Sequence, residues 1–350
     1  MRPVFLLSLL LTVVQFLSSC SNKNAHIDLD APPYKKLSEY AFFSIDRGEL
    51  KPNQGVTPYL MVNQMFNDHL QREKFLFLPD KKAIKYDSIA VLAMPLGSCL
   101  INTAYYLNNG NLHERKNIET QLLIHKKNGW EALEYIWNDA QTDAELSLIG
   151  DIKNLAWKDK KGIEMKMEYV LSSKHQCKNC HWNKDHITPI GFRAGNLNLL
   201  TNGVNQLASL NEKGLLADFS TNAPTPKFAD WRDTSYPIFT RVKSYFDINC
   251  AHCHNTDGSA NFCGLFLNRE NENMETFGVY KSPTSAAKGS CDLKNDIVPG
   301  KPGESIVICR MASTDLKIKM PPLGRATNDN EGVALVIEWI AQMKTEQTQH

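Results

Sequence analysis

Residues 245–255 read "YFDINCAHCHN" and place Cys250, His252, Cys253 and His254 within five positions. A shorter version, "CKNCH", holds Cys177, Cys180 and His181. Both are Cys-x-x-Cys-His, the spacing of c-type haem attachment. Two thiols three positions apart can add to the two vinyl groups of a porphyrin, and the next residue then offers its imidazole to the iron. The competing metal is zinc, but zinc ribbons separate their cysteine pairs by about 15–20 residues and need no trailing histidine. Here Cys180 and Cys250 are about 70 positions apart. Redox use of the pairs calls for a βαβ context, which the pattern lacks. On this reading His252 is a spacer, and the expected cofactors are two covalently bound haem c groups.

A haem held by a histidine on one face needs its other face assigned. "IKMPPLGR" (318–325) offers Met320 ahead of two prolines, which fix an extended loop able to hold a thioether against iron. Met311 is the rival in the same stretch. His/Met ligation raises the reduction potential, as suits an electron relay. For the first haem, Met165 and Met167 read as core, and His186 follows His181 too closely to reach round the ring. His113, His125, His175 and Met94 remain candidates, as does an open iron face. Cys99, Cys263, Cys291 and Cys309 are left for disulfides, and Cys263–Cys291 is the pairing expected.

The elements around these residues divide the chain. "IETQLLIHKKNGWEALEYIW" (118–137) is two strand-like runs joined at Asn128-Gly129, a strong hairpin signal. "GIEMKMEYVL" (162–171) alternates with period two. An antiparallel β domain is therefore expected over 37–171, with no catalytic or ligand cluster of its own. A first haem-binding segment follows over 172–236, with helical spacing of Val204, Leu207, Leu210 and Leu215 stopping at Gly214. In the last domain, 237–345, Ile238, Val242, Tyr245 and Phe246 mark one helix face. Asn328 and Glu331 resemble a capping box ahead of Val333, Val336, Ile337, Ile340 and Met343. The expected fold class is α+β: an antiparallel β domain followed by mostly α-helical cytochrome c-type domains.

The N-terminus reads as an export signal. Arg2 precedes the apolar run Val4–Leu17, too short for a confident membrane span. The run closes on Leu17-Ser18-Ser19-Cys20, which resembles the lipobox of bacterial lipoproteins and implies cleavage after residue 19 and lipidation of Cys20. Residues 20–36 are then the lipidated cysteine and a polar tether. Charge is balanced, with 39 basic and 38 acidic residues and no basic block, which argues against a nucleic acid partner.

Residues 237–345, with a helix, Cys-x-x-Cys-His, "KMPPLGR" and the "EGVALVIEWI" helix in that order, resemble a class I cytochrome c domain. More widely, residues 37–345 resemble a family of dihaem c-type cytochromes found beside parallel β-helix proteins. "GWEALEYIWNDAQTDAEL", "PIGFRAGNLNLL", "NQLASLNEKGLL", "YFDINCAHCHN" and "DIVPGKPGESIVICRM" carry that likeness. The resemblance implies covalent haem at Cys177, Cys180, Cys250 and Cys253, iron ligation by His181, His254 and Met320, and electron transfer. "AMPLGSCLINTAYY" (93–106) departs from the family pattern, which has an aromatic near Met94 and a lysine near Asn102.

These readings lead to an exported, lipid-anchored dihaem cytochrome on the periplasmic side of a bacterial membrane, the outer membrane by preference. It would exchange single electrons with a redox partner protein, a dehydrogenase or oxidase. A dihaem peroxidase-like enzyme with one open haem is the alternative. A third reading makes the β domain a module that docks the haems onto a partner.

Overall fold

The computed structural model describes residues 24–284 and 288–344. The signal segment 1–19 and the lipidation site Cys20 lie outside the described residues. Six strands form one antiparallel meander in chain order: β1 Val56–Pro58, β2 Gln71–Phe77, β3 Cys99–Leu107, β4 Arg115–Lys126, β5 Gly129–Trp137 and β6 Ala144–Ser147. Gly129, at φ +98°, closes the β4–β5 turn in a conformation that disfavours a side chain. A second antiparallel pair, β7 Asp151–Lys158 and β8 Glu164–Leu171, leads directly into helix α1, Lys174–His181.

Strand alternation gives the meander two unlike faces. One carries Phe75, Phe77, Ile101, Leu122, Ile124, Leu133 and Tyr135, packed under Leu37, Tyr40, Phe42 and Leu50. The other face is apolar at one end, where Leu76, Leu100, Leu123 and Ala132 meet Tyr59, Met61, Phe192, Leu207 and Ile248. Its middle is polar. The ladder aligns Lys74 with Asn102, Asn102 with Gln121, and Gln121 with Glu134, one residue from each of four adjacent strands.

Beyond α1 come α2 Ala194–Leu197, α3 Gln206–Glu212, α4 Ile238–Asn249, α5 Ile306–Ala312 and α6 Asn330–Gln342. The expectation of mostly α-helical domains in this half is overturned, because the described chain is 28% strand and 22% helix. Only α4 and α6 are longer than about two turns. The described residues of 251–284 and 288–305 run instead as turns and short 3-10 segments. Asn255, Asn271 and Asn273 satisfy loop backbone there through their side chains, the local bonding that competes with helix.

Helices α4 and α6 pack against each other through Val242, Tyr245 and Phe246 on one side and Leu335, Val336, Trp339 and Ile340 on the other. The apolar stripe of α6 is rotated from the expected one, leaving Ile337 38% exposed. Its N-cap is Asp329, which accepts from the Gly332 amide at 3.0 Å, rather than Asn328. Asn328 instead donates to the Ala312 carbonyl. Gly332 lies flat against Tyr245: a Cβ there would sit 2.2 Å from the ring.

The disulfide also differs from expectation. Cys291 bonds Cys309 across 18 residues, while Cys263 donates to the Ala260 carbonyl and lies beside His254. Spacing could not choose between Cys263 and Cys309; the turn of α5 brings Cys309 to Cys291. Closing a loop of this length contributes about 3 kcal/mol through the unfolded chain. Among the described residues no helix is long and apolar enough to cross a membrane. Gly332→Ala is expected to lower stability by about 1–3 kcal/mol through overpacking against Tyr245, read as a lowered urea midpoint at unchanged slope.

Candidate functional site: two adjoining cavities

Each Cys-x-x-Cys-His stretch stands at the end of an element that fixes it. Helix α1 starts at Ser173, whose hydroxyl accepts from the Gln176 amide while the Gln176 side chain returns to the Ser173 amide. His181 ends the helix. The short ribbon Trp182–Asn183 with His186–Ile187 turns the chain back, so that His181 Nδ1 meets the Thr188 carbonyl at 2.8 Å. That bond leaves Nε2 as the free ring nitrogen. Helix α4 ends as the Cys250 amide bonds the Phe246 carbonyl. The turn continues with the His254 amide on the Cys250 carbonyl, and the Leu267 amide on the His254 carbonyl holds the histidine from the far side.

Two cavities meet at these motifs. The first, about 190 Å³, is lined by Cys177, Cys180 and His181 on one side and by Lys74, Asn102, Gln121 and Arg72 on the other. The second, about 450 Å³, holds Cys250, Cys253 and His254 together with Met320. Its wall is apolar, with Leu265, Leu267, Phe277, Ile297 and Ile306. Cys180 and Leu323 line both cavities. The segments after the motifs are joined directly, because the Lys184 amide donates to the Asp257 carbonyl at 2.6 Å.

The donor sets fit covalent haem. Two thiols and an imidazole with one free nitrogen face each cavity, and the second adds a thioether. The first cavity is less than half as large, so seating a porphyrin there requires lining side chains such as Met65 and Leu323 to move. Burial pushes the thiols of Cys177, Cys180 and Cys250 up to about 12, and pulls His254 down to about 4, keeping its imidazole neutral and able to bind metal. His252 also lines the second cavity; burial first, then the charges of His181 and His254, pull it down to about 3. Among the described residues no three His, Cys, Asp or Glu side chains converge as a metal-ion cluster, as bare zinc would need.

The Met320 loop is pinned by a buried guanidinium. Arg325 is 4% exposed and donates through Nη2 to the carbonyls of Arg310, Met311, Ser313 and Met320, and through Nη1 to that of Thr327. Asp68, just before β2, accepts from the Ala326 and Thr327 amides and the Thr327 hydroxyl. The loop is therefore tied both to α5 and to the β half. Met311 reaches the second cavity as well, but from within the core packed between α4 and α6.

None of the residues considered for the other face of the first site lines its cavity. His125 stacks on Trp130 with ring centroids 4.6 Å apart, and its Nδ1 contacts the Met94 carbonyl. Met94 is buried core, His113 and His175 are exposed, and Met165 and Met167 pack with Trp157 and Tyr169. Met61 and Met65, which the sequence did not single out, line it instead.

The polar wall was also missed, and it amends the expectation that the β half carries no cluster. Lys74 Nζ donates to Asn102 Oδ1 at 3.0 Å, and Asn102 Nδ2 to Gln121 Oε1 at 3.2 Å. Arg72 donates to the same Gln121 oxygen and pairs with Glu119, which also accepts from Tyr169. Lysine is absent beside Asn102 in sequence, yet Lys74 stands directly across the ladder from it. Burial, with Arg72 adding like charge, pulls Lys74 down to about 7. Glu134 is 2% exposed, and among the described residues its two oxygens have no hydrogen-bond partner; burial first, then the nearby Glu119, push its carboxyl well above the usual carboxylate range.

A folded-state carboxyl raised above its unfolded value binds its proton more tightly in the fold, so stability falls as pH rises past the unfolded value. Glu134→Gln mimics the protonated form. It is expected to raise Tm by several degrees near pH 8 and to leave Tm near pH 5 almost unchanged, as calorimetry at the two pH values would show.

Comparisons with protein-family models, with curated proteins and with solved structures found no match to this chain.

Proposed function

We propose that the chain is an exported, lipid-anchored dihaem c-type cytochrome that passes single electrons between redox partners. One observation carries this reading: two Cys-x-x-Cys-His stretches, far apart in sequence, open onto adjoining cavities that share Cys180 and Leu323. In the proposal Cys177 and Cys180 hold one haem, with His181 toward its iron. Cys250 and Cys253 hold the other, with His254 and Met320 on its two faces. A bound haem iron carries one electron by changing between ferric and ferrous. The chain's own part is to orient His181 through Thr188, to hold Met320 through Arg325, and to keep water from the second site with apolar side chains. Exclusion of water and a thioether ligand both favour the reduced state. Cys20 is the proposed membrane anchor on the periplasmic side, and a dehydrogenase or oxidase the class of partner.

A dihaem peroxidase-like enzyme is the second reading, favoured by the cationic, proton-bearing wall on the first cavity. EPR separates the two: a pair of low-spin signals supports the carrier, and a high-spin first haem supports the enzyme.

A pyridine haemochrome assay on mature protein is expected to count two c-type haems per chain, and zero haems with bound zinc would overturn the reading. Met320→Ala is expected to remove one low-spin His/Met signature and lower one midpoint potential while the haem count stays at two. An unchanged spectrum would move that ligand elsewhere. Palmitate labelling that is lost in Cys20→Ala would support the anchor, and labelling that persists would refute it.

A further inference from the structure

The histidines of the two motifs differ in what their second ring nitrogen meets. His181 Nδ1 has a backbone carbonyl, that of Thr188, at 2.8 Å. His254 Nδ1 has a sulfur instead: Cys263 Sγ lies 3.5 Å away. The thiol hydrogen of Cys263 is spent on the Ala260 carbonyl at 2.9 Å, so what the sulfur offers the ring is a lone pair. Two bonds then run in line, from His254 Nδ1–H to Cys263 Sγ and from Cys263 Sγ–H to the Ala260 oxygen. They place the ring proton on Nδ1 and leave Nε2 free.

The backbone of the motif itself brings Cys263 to this position. The Ala260 amide donates to the Cys253 carbonyl at 3.0 Å, and the 3-10 turn Asn261–Cys263 starts from that point. Gly258 lies against the same carbonyl, where a Cβ would come within 2.3 Å of the oxygen. The Thr284 hydroxyl donates to the Cys263 carbonyl at 3.1 Å. Cys291 takes Cys309 as its disulfide partner, so the Cys263 thiol stays free.

We propose that Cys263 is a positioning residue for the second haem: its sulfur orients the His254 imidazole and, as a weak acceptor, keeps that haem's reduction potential high. The inference rests on the two-haem reading and adds to it what tunes the second site. A histidine ligand becomes more basic as its second N–H is drawn to an acceptor, and a more basic ligand favours ferric iron. A carbonyl draws strongly and a thiol weakly, which makes His181 the better donor and His254 the poorer one. The sulfur thus acts in the same sense as the Met320 thioether and the apolar wall. The Leu265 carbonyl also approaches the His254 ring and is the competing acceptor.

Midpoint potentials are measured by spectroelectrochemical titration of purified holoprotein whose haem content has been counted. The second haem is followed through its His/Met signature, and the other midpoint is the internal reference. Cys263→Ala removes the sulfur. It is expected to shift the second haem's reduction equilibrium about threefold toward the ferrous form, about 30 mV upward for one electron, with the first unchanged. Cys263→Ser supplies a hydroxyl oxygen, a stronger acceptor than sulfur, and is expected to move the same midpoint below that of wild type. A merely structural cysteine would not give opposite signs, because lost packing admits water in both variants and lowers both midpoints. Should Cys263→Ala fail to fold, Cys263→Val, which fills the space without an acceptor, is read in its place with the same expected rise. Two haems with the second midpoint unchanged in the variant lacking an acceptor assigns the ring to Leu265 and overturns the inference. A shift of the same sign in that variant and in Cys263→Ser also overturns it. Both results leave the two-haem reading standing, whereas absence of haem from wild type overturns the functional reading itself.

Discussion

Cross-strand register is the constraint on which the rest of this molecule depends. In a pleated sheet a slip of one residue sends every side chain to the opposite face. With β2, β3, β4 and β5 in their observed register, Phe75, Ile101, Leu122 and Leu133 enter the core beneath the N-terminal segment. Lys74, Asn102, Gln121 and Glu134 are thereby forced onto the other face, toward α1. The apolar side fixes the alignment, and the polar line follows from it. Leu76, Leu100, Leu123 and Ala132 continue the second face as core, so the polar residues occupy a band bounded by packing rather than an open surface.

The two halves are joined by groups that cannot be left unpaired. Asp68 receives donors from residues 326 and 327, and Arg325 is surrounded by carbonyls of α5 and its own loop. Removing Asp68 strips the acceptor from the Ala326 and Thr327 amides, and removing Arg325 strips the donor from the carbonyls of Arg310, Met311, Ser313 and Met320, so the Met320 loop, the end of α5 and the entrance to β2 are held as one unit. That rigidity gives Met320 a fixed place in the wall of the cavity that His254 also lines, although the residues between them contribute almost no long regular structure.

Much of the local architecture was legible in the sequence. The turn at Asn128-Gly129, the stripe of α4 and the two Cys-x-x-Cys-His stretches all rest on spacing within a few residues, which a sequence displays. What was illegible depends on contacts between distant segments. Lys74 and Glu134 lie on strands separated by two others, and nothing in either neighbourhood signals that they share a row. Met61 and Met65 precede β2 in an irregular stretch with no periodicity to mark an inward face. Cys309 finds Cys291 because α5 turns it inward, while Cys263, equally eligible by spacing, is carried off toward His254. The long loops of the second half were read as helix because the order of motifs resembled a helical family, whereas their Asn, Asp, Gly and Pro content favours turns.

Under the proposed function the chain carries cysteines with opposite needs in one compartment. Cys291 and Cys309 must lose electrons to join, whereas Cys177, Cys180, Cys250 and Cys253 are useful for attachment only while still reduced. Disulfide exchange proceeds through the thiolate, and burial pushes all four of these thiols further toward the protonated, unreactive form. The folded polypeptide thus sorts its own sulfur chemistry: an oxidant meets a pair already brought together, and the thiols that the proposed function assigns to prosthetic groups are shielded from premature scrambling.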